Sequence, residues 1–140
     1  MSKLKEDYLR SYRRIIMYED LNSAGTLFGG RLASWIDEGS AIFASCQMNA
    51  RRIVTKKISE LVFNQPARLG DMLEIWCKVL KKGTSSITIS TKVTRRSFTD
   101  DASKVVESSS ADAEICHCEI VFVAVNEKGQ PRPWNKKKKL

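Results

Sequence analysis

With a single histidine and three prolines in 140 residues, the chain lacks several common devices. No run comes near the roughly 18 uninterrupted apolar residues that a membrane span requires, and the opening MSKLKEDYLR has no apolar core of the signal-peptide kind. A cytoplasmic address is the expectation. Internal repeats, low-complexity blocks and Pro/Gly-rich linkers are missing too, so one domain is expected over residues 1–140, with a basic tail at 135–140. Basic helix-turn-helix, zinc-finger and aromatic RNA-binding signatures are absent, which sets nucleic acid aside as a partner. The four cysteines do not have the spacing of a disulfide framework and are expected to be reduced. Cys116, His117 and Cys118 look at first like metal ligands. In a strand, however, neighbouring side chains point to opposite faces, so the two thiols would pack inward and the imidazole outward. No metal is expected.

What the chain does have is ordinary for a folded protein. Hydrophobic residues make up 42% and charged residues 29%, too apolar for a disordered chain. Its length allows it to bury about two thirds of its unfolded surface around one core. The formal net charge of +8 attracts anions. That charge fits nucleic acid, a membrane surface or a polyanionic small molecule, and part of it sits in Lys136 to Lys139, which reads as a solvated tail.

Hydrophobic periodicity gives the order of elements. Tyr8 to Met17 is expected to be extended and to enter a polar loop, Tyr18 to Ala24. From Gly29 to about Met48 the period becomes helical, with Leu32, Trp35, Ile36, Gly39 and Phe43 on one stripe. Strands are expected at Ile53 to Phe63, Met72 to Lys82, Ser85 to Arg96 and Glu114 to Val125. A hairpin at Lys82-Gly83-Thr84 would join the second and third of these. Ser97 to Asp112 is expected to be a loop with partial strand character. One long helix with such strands predicts an α+β domain in which an antiparallel sheet wraps a central helix.

Placing the helix at 100° per residue separates two further faces. Arg31, Ser34, Glu38 and Ser45 form a polar strip that should meet water. Asp37 falls among Ala33, Ala41 and Ala44, small residues that let another backbone or helix approach. A partly buried carboxylate there suits either proton transfer near neutrality or a purely structural hydrogen bond. The preceding Gly29-Gly30 pair lies where helix amides have no intrahelical partner, at the positive end of the dipole. A developing oxyanion would be stabilised there, though a Gly-Gly pair alone is more often a tight turn.

The motif Asn22-x-x-Gly25-x-x-Phe28-Gly29-Gly30-x-Leu32-x-x-x-x-Asp37 resembles the entry loop and helix of the hotdog-fold acyl-CoA thioesterases of the broad-range bacterial acyl-CoA hydrolase type. Further matches follow in order: Ile53-Val54-Thr55, Val62-Phe63-Asn64-Gln65-Pro66, Leu69-Gly70-Asp71, the Gly83 to Ile87 turn and Phe122 to Asn126. The resemblance runs from about Leu21 to Pro133 and implies hydrolysis of acyl-CoA to free acid and CoA. It implies that Asp37 is the catalytic carboxylate, as general base or nucleophile. Asn22, from the neighbouring subunit, would position water or substrate, the Gly29 and Gly30 amides would form the oxyanion hole, and Thr55 would line the site. Gly83, Thr84, Ser85 and Ser86, with Arg95 and Arg96, are candidates for CoA phosphates, an ordinary hairpin and strand end being the alternative. No cofactor is required, CoA being part of the substrate. Self-association as a dimer, and as a trimer of dimers, is implied as well.

Ser40 departs from the family pattern, where glycine is frequent, and so do Lys56-Lys57, which replace small apolar residues. Acyl-thioester hydratases of the same fold pair an Asp with a His, and the only histidine here lies far along the chain. A non-catalytic acyl-CoA-binding module is the main alternative. A basic nucleic-acid binder would instead show steep salt dependence.

Overall fold

The structure, a computed structural model, describes residues 7–98 and 114–135. Its elements are β1 (Leu9–Ile15), a short 3-10 turn (Tyr18–Asp20), α1 (Gly29–Met48), β2 (Ile53–Ile58), β3 (Met72–Lys82), β4 (Ser86–Arg96) and β5 (Glu114–Ala124). The strands form one antiparallel sheet in the order β1-β3-β4-β5-β2, and α1 packs against all five. This is the expected α+β architecture.

Burial follows the predicted stripe. Leu32, Trp35, Ile36, Gly39 and Phe43 are buried in α1 and meet a sheet face built by Leu73, Ile75, Cys77, Ile87, Ile89, Val93, Cys116, Cys118, Ile120 and Phe122. Each large apolar side chain removed from water in this way contributes about 1.5 to 3 kcal/mol. A Cβ added at Gly39 would lie 3.0 Å from Ile75 Cγ2 and 3.0 Å from Tyr12 Cβ, so the absent side chain is what lets α1 sit this close to β1 and β3. Beside it, Ser40 is fully buried and its hydroxyl lies 2.7 Å from Thr91 Oγ1, satisfying two polar groups under the helix.

The cysteines behave as strand geometry dictates. Cys116 and Cys118 are buried, while the His117 side chain is 67% exposed. Burial raises both thiols, Cys116 to about 12 and Cys118 to about 11, with nearby acidic groups adding to the shift.

Four expected segments are shorter in the structure, the first of them covering Leu9–Ile15 within Tyr8 to Met17. The strand expected over Ile53 to Phe63 ends at Ile58. Beyond it the chain still runs beside β5 through isolated bonds, Ser59 N–H to Glu119 O at 2.9 Å and Asn64 N–H to Ile115 O at 2.8 Å, while the Phe63 ring is drawn onto the start of α1. β4 begins at Ser86 and β5 ends at Ala124, each one residue inside the expectation. The expected loop at Ser97 to Asp112 lies outside the described residues after Phe98, as do the terminal lysines.

Candidate active site

Thr55 joins the two elements that carry the site. Its hydroxyl donates to Asp37 Oδ1 at 2.7 Å, tying the middle of α1 to β2. Asp37 is half-buried, with Ala33 and Ala41 likewise half-buried on the small-residue face. Oδ2 has no hydrogen-bond partner among the described residues and is left to take a proton or attack a carbon. Glu38, on the neighbouring face, is exposed and accepts from Tyr12 Oη at 3.2 Å. The helix thus carries two adjacent carboxylates in different surroundings.

The second half of the candidate site lies at the helix start. Phe28 caps α1 without a side-chain bond to the amides, and the first backbone bond of the helix runs from Leu32 N–H to Phe28 O at 3.1 Å. The Gly29 and Gly30 amides ahead of it point out of the helix without an intrahelical acceptor. Glycine matters at position 29 because a Cβ there would meet Phe63 Cε2 at 3.1 Å. Upstream, Asn22 Oδ1 accepts from the Ala24 N–H at 2.9 Å and the Thr26 N–H at 3.1 Å, and its Nδ2 donates to Thr26 Oγ1 at 3.1 Å. Asn22 therefore shapes the loop that delivers the chain to Gly29, with Gly25 turning at φ +80°.

Asn22 and Gly29 line a cavity of about 380 Å³ with Leu27, Leu32, Phe63 and Pro66 among its walls. Phe63 and Pro66, which their composition places only at a strand end, form part of this wall. Arg95 braces this wall, donating to Pro66 O and, at 3.2 Å, to Gln65 Oε1.

The candidates fall into separate places in one protomer. Asp37 stands eight residues after Gly29, about 12 Å further along the helix axis, so the Gly29 amide and the Asp37 carboxylate of one chain cannot both reach one carbonyl carbon. Thr55 is with Asp37; Asn22 is with Gly29 and Gly30. The hairpin of Gly83, Thr84, Ser85 and Ser86 is near the Asp37 end: Ser86 pairs with Val123, which pairs with Val54, about 10 Å across two strand spacings. This turn is tightly engaged, with Gly83 N–H donating to Ser86 O at 2.9 Å and Trp134 N–H to Thr84 O at 3.0 Å. Arg95 and Arg96 lie at the far end of β4, about 30 Å from the hairpin. Arg96 is committed there to the buried Glu74 at 3.4 Å, a carboxylate that also holds Arg10 at 2.8 Å and Arg13 at 3.5 Å. The hairpin and the two arginines of one chain do not form one phosphate site.

No helix among the described residues is long and apolar enough to cross a membrane, and they hold no cluster of three or more metal-ligating side chains.

A five-stranded antiparallel sheet wrapped on one long helix is the hotdog fold. A family model described as the thioesterase superfamily matches residues 24–98. An acyl-CoA thioester hydrolase of Salmonella typhimurium is 32% identical over 121 residues, covering 86% of each chain. The structure of a hexameric thioesterase from Yersinia pestis superposes with a TM-score of 0.75 at 29% identity, over 90% of this chain and 94% of that one. The acyl-CoA hydrolase of Staphylococcus aureus, solved with butyryl coenzyme A and coenzyme A, gives 0.71 at 27% identity, over 87% of this chain and 68% of that one. The chain belongs to the thioesterase superfamily.

Proposed function

We propose that the protein is an acyl-CoA thioesterase that hydrolyses acyl-CoA to a carboxylic acid and CoA, with Asp37 as its catalytic carboxylate. The observation that carries this reading is the Thr55 clamp. A hydroxyl at 2.7 Å on Oδ1 fixes the half-buried carboxylate of a helix otherwise lined with alanine on that face, and Oδ2 has no hydrogen-bond partner among the described residues. In the general-base course, Oδ2 takes a proton from water as its oxygen bonds to the thioester carbon. The carbonyl oxygen becomes an oxyanion held by the Gly29 and Gly30 amides; the C–S bond then breaks and the CoA sulfur leaves, taking up a proton. In the nucleophilic course, Oδ2 itself bonds to the carbon, the C–S bond breaks and CoA leaves as a thiolate that takes up a proton, and water then adds to the resulting mixed anhydride to release the acid and restore the carboxylate.

Because Asp37 and Gly29 of one chain are about 12 Å apart along the helix, this reading needs two protomers at each site. One would bring Asp37 and Thr55, the other Gly29, Gly30 and Asn22. A two-fold pair makes two such sites by symmetry. Support comes from the outer strand β2, bonded on one side to β5 and exposed along most of its length. The hexameric thioesterase from Yersinia pestis supports a trimer of such pairs. In the Staphylococcus aureus enzyme, an asparagine and an aspartate were each replaced by alanine, and they stand at the same sequence separation as Asn22 and Asp37.

The test is release of free thiol from acyl-CoAs running from acetyl to palmitoyl. Turnover of at least one of them supports the reading. CoA binding with no turnover across the panel would favour a binding module instead.

A further inference from the structure

The acyl-CoA reading requires a place for the three phosphates at the nucleotide end of the substrate, and Arg95 and Arg96 of one chain are committed elsewhere, far from the hairpin. We propose that this place is the groove of about 370 Å³ formed by Arg51, Arg52 and Arg132 with the Val125 to Glu127 turn, and that it takes the phosphates of a 3′-phosphorylated adenosine diphosphate group. The inference rests on the acyl-CoA reading for its ligand and on the groove's own chemistry for its location.

Three features make the groove a built anion site. Its arginines come from backbone segments that the sheet fixes: Val125 N–H donates to Arg52 O at 2.9 Å, and Arg132 N–H donates to Ala124 O at 2.8 Å. The intervening turn is rigid, with Asn126 Oδ1 accepting from Lys128 N–H at 2.9 Å and Gln130 N–H at 3.0 Å. The charge is unbalanced: three guanidinium groups face one carboxylate, Glu127, which lies 3.7 Å from Arg52 and is 83% exposed. Such a pair contributes little. Arg51 and Arg132 have no ion-pair partner among the described residues. Guanidinium forks match phosphate oxygens two at a time, and arginine stays charged at any working pH.

Reach agrees with the reaction. Arg51 and Arg52 precede Thr55 by four and three residues, about 13 and 10 Å of extended chain, and Thr55 holds the carboxylate. The arm between a CoA sulfur and its nearest phosphorus spans about 15 Å when extended, from single-bond lengths near 1.3 to 1.5 Å. With a thioester at Asp37, the arm is long enough to bring its phosphates to this groove. The Gly83 to Ser86 hairpin adjoins it, since Ala124 N–H donates to Ser85 O at 2.8 Å.

The test compares one acyl group on CoA and on N-acetylcysteamine, which carries no nucleotide, in wild type and in the Arg51→Gln/Arg132→Gln variant. It is paired with calorimetric binding of adenosine 3′,5′-bisphosphate. The expected result is at least a tenfold fall in the kcat/KM preference for CoA, carried by KM, and at least tenfold weaker bisphosphate binding. An unchanged preference with unchanged binding would overturn the proposal while leaving thioester hydrolysis standing. A wild type inert on every thioester that still binds the bisphosphate through these arginines would keep the groove and remove the enzyme. Inorganic pyrophosphate binding as tightly as the nucleotide would overturn the nucleotide assignment.

Discussion

Thr55 and Asp37, eighteen residues apart, meet through a single hydrogen bond of 2.7 Å between the outermost strand and the central helix. β2 is an edge strand with β5 as its one sheet neighbour among the described residues, and this bond ties it to the helix while holding the carboxylate's rotamer.

Thr55→Val keeps the branched shape and removes the donor. A hydrogen bond to a charged group contributes about 1.5 to 3 kcal/mol. The expected outcome is a fall in kcat of roughly 10- to 100-fold with KM little changed, and recovery of most activity in Thr55→Ser. Equal losses in Thr55→Ser and Thr55→Val would show that the hydroxyl is not what positions Asp37.

If the site is shared, two inactive variants should rescue each other. Asn22→Asp keeps an oxygen acceptor for the Ala24 and Thr26 amides but loses the Nδ2 donor; Asp37→Asn loses the base. Random reassortment into two-fold pairs gives one intact site in half of them, so activity should return to about a quarter of wild type. No recovery after confirmed subunit exchange would count against the two-protomer site.

Gly39→Ala puts a Cβ 3.0 Å from Ile75 Cγ2 and 3.0 Å from Tyr12 Cβ, so one of these neighbours must shift by a few tenths of an ångström. The expected destabilisation is about 1 to 3 kcal/mol by denaturant titration. An unchanged midpoint would mean that α1 can lift from the sheet.

The buried thiols set an alkaline limit. Cys116 and Cys118 titrate near 12 and 11 in the folded chain and near 9.0 when unfolded. Their folded values are raised, so the stability they contribute is fully present below pH 9 and is lost as pH climbs from 9 toward 12. Thermal unfolding should show a falling midpoint over that window, weakened in Cys116→Ala relative to its own neutral-pH value. A flat profile from pH 9 to 11 would contradict the burial of these thiols.

Much of this was legible in the sequence because it depends on local periodicity. The stripe from Leu32 to Phe43, the inward turn of Cys116 and Cys118, and the exposure of Glu38 all follow from 3.6- and 2-residue repeats. The early end of β2 was not legible: Val62 and Phe63 have strand composition, and only the open surface at Gly29 draws the ring away from the ladder. The commitment of Arg96 was hidden as well, since Glu74 lies 22 positions earlier and meets it only through the β3–β4 register. The groove of Arg51, Arg52 and Arg132 escaped for the same reason, its members being joined by the return of the chain after β5.

The most direct measurement is single-turnover release of thiol from a turned-over acyl-CoA by Asp37→Asn beside wild type, with circular dichroism and oligomer size confirmed equal. The account predicts at least a thousandfold slower hydrolysis in the variant, with CoA binding within a few-fold of wild type. An Asp37→Asn protein that hydrolyses acyl-CoA at a rate near wild type would contradict it.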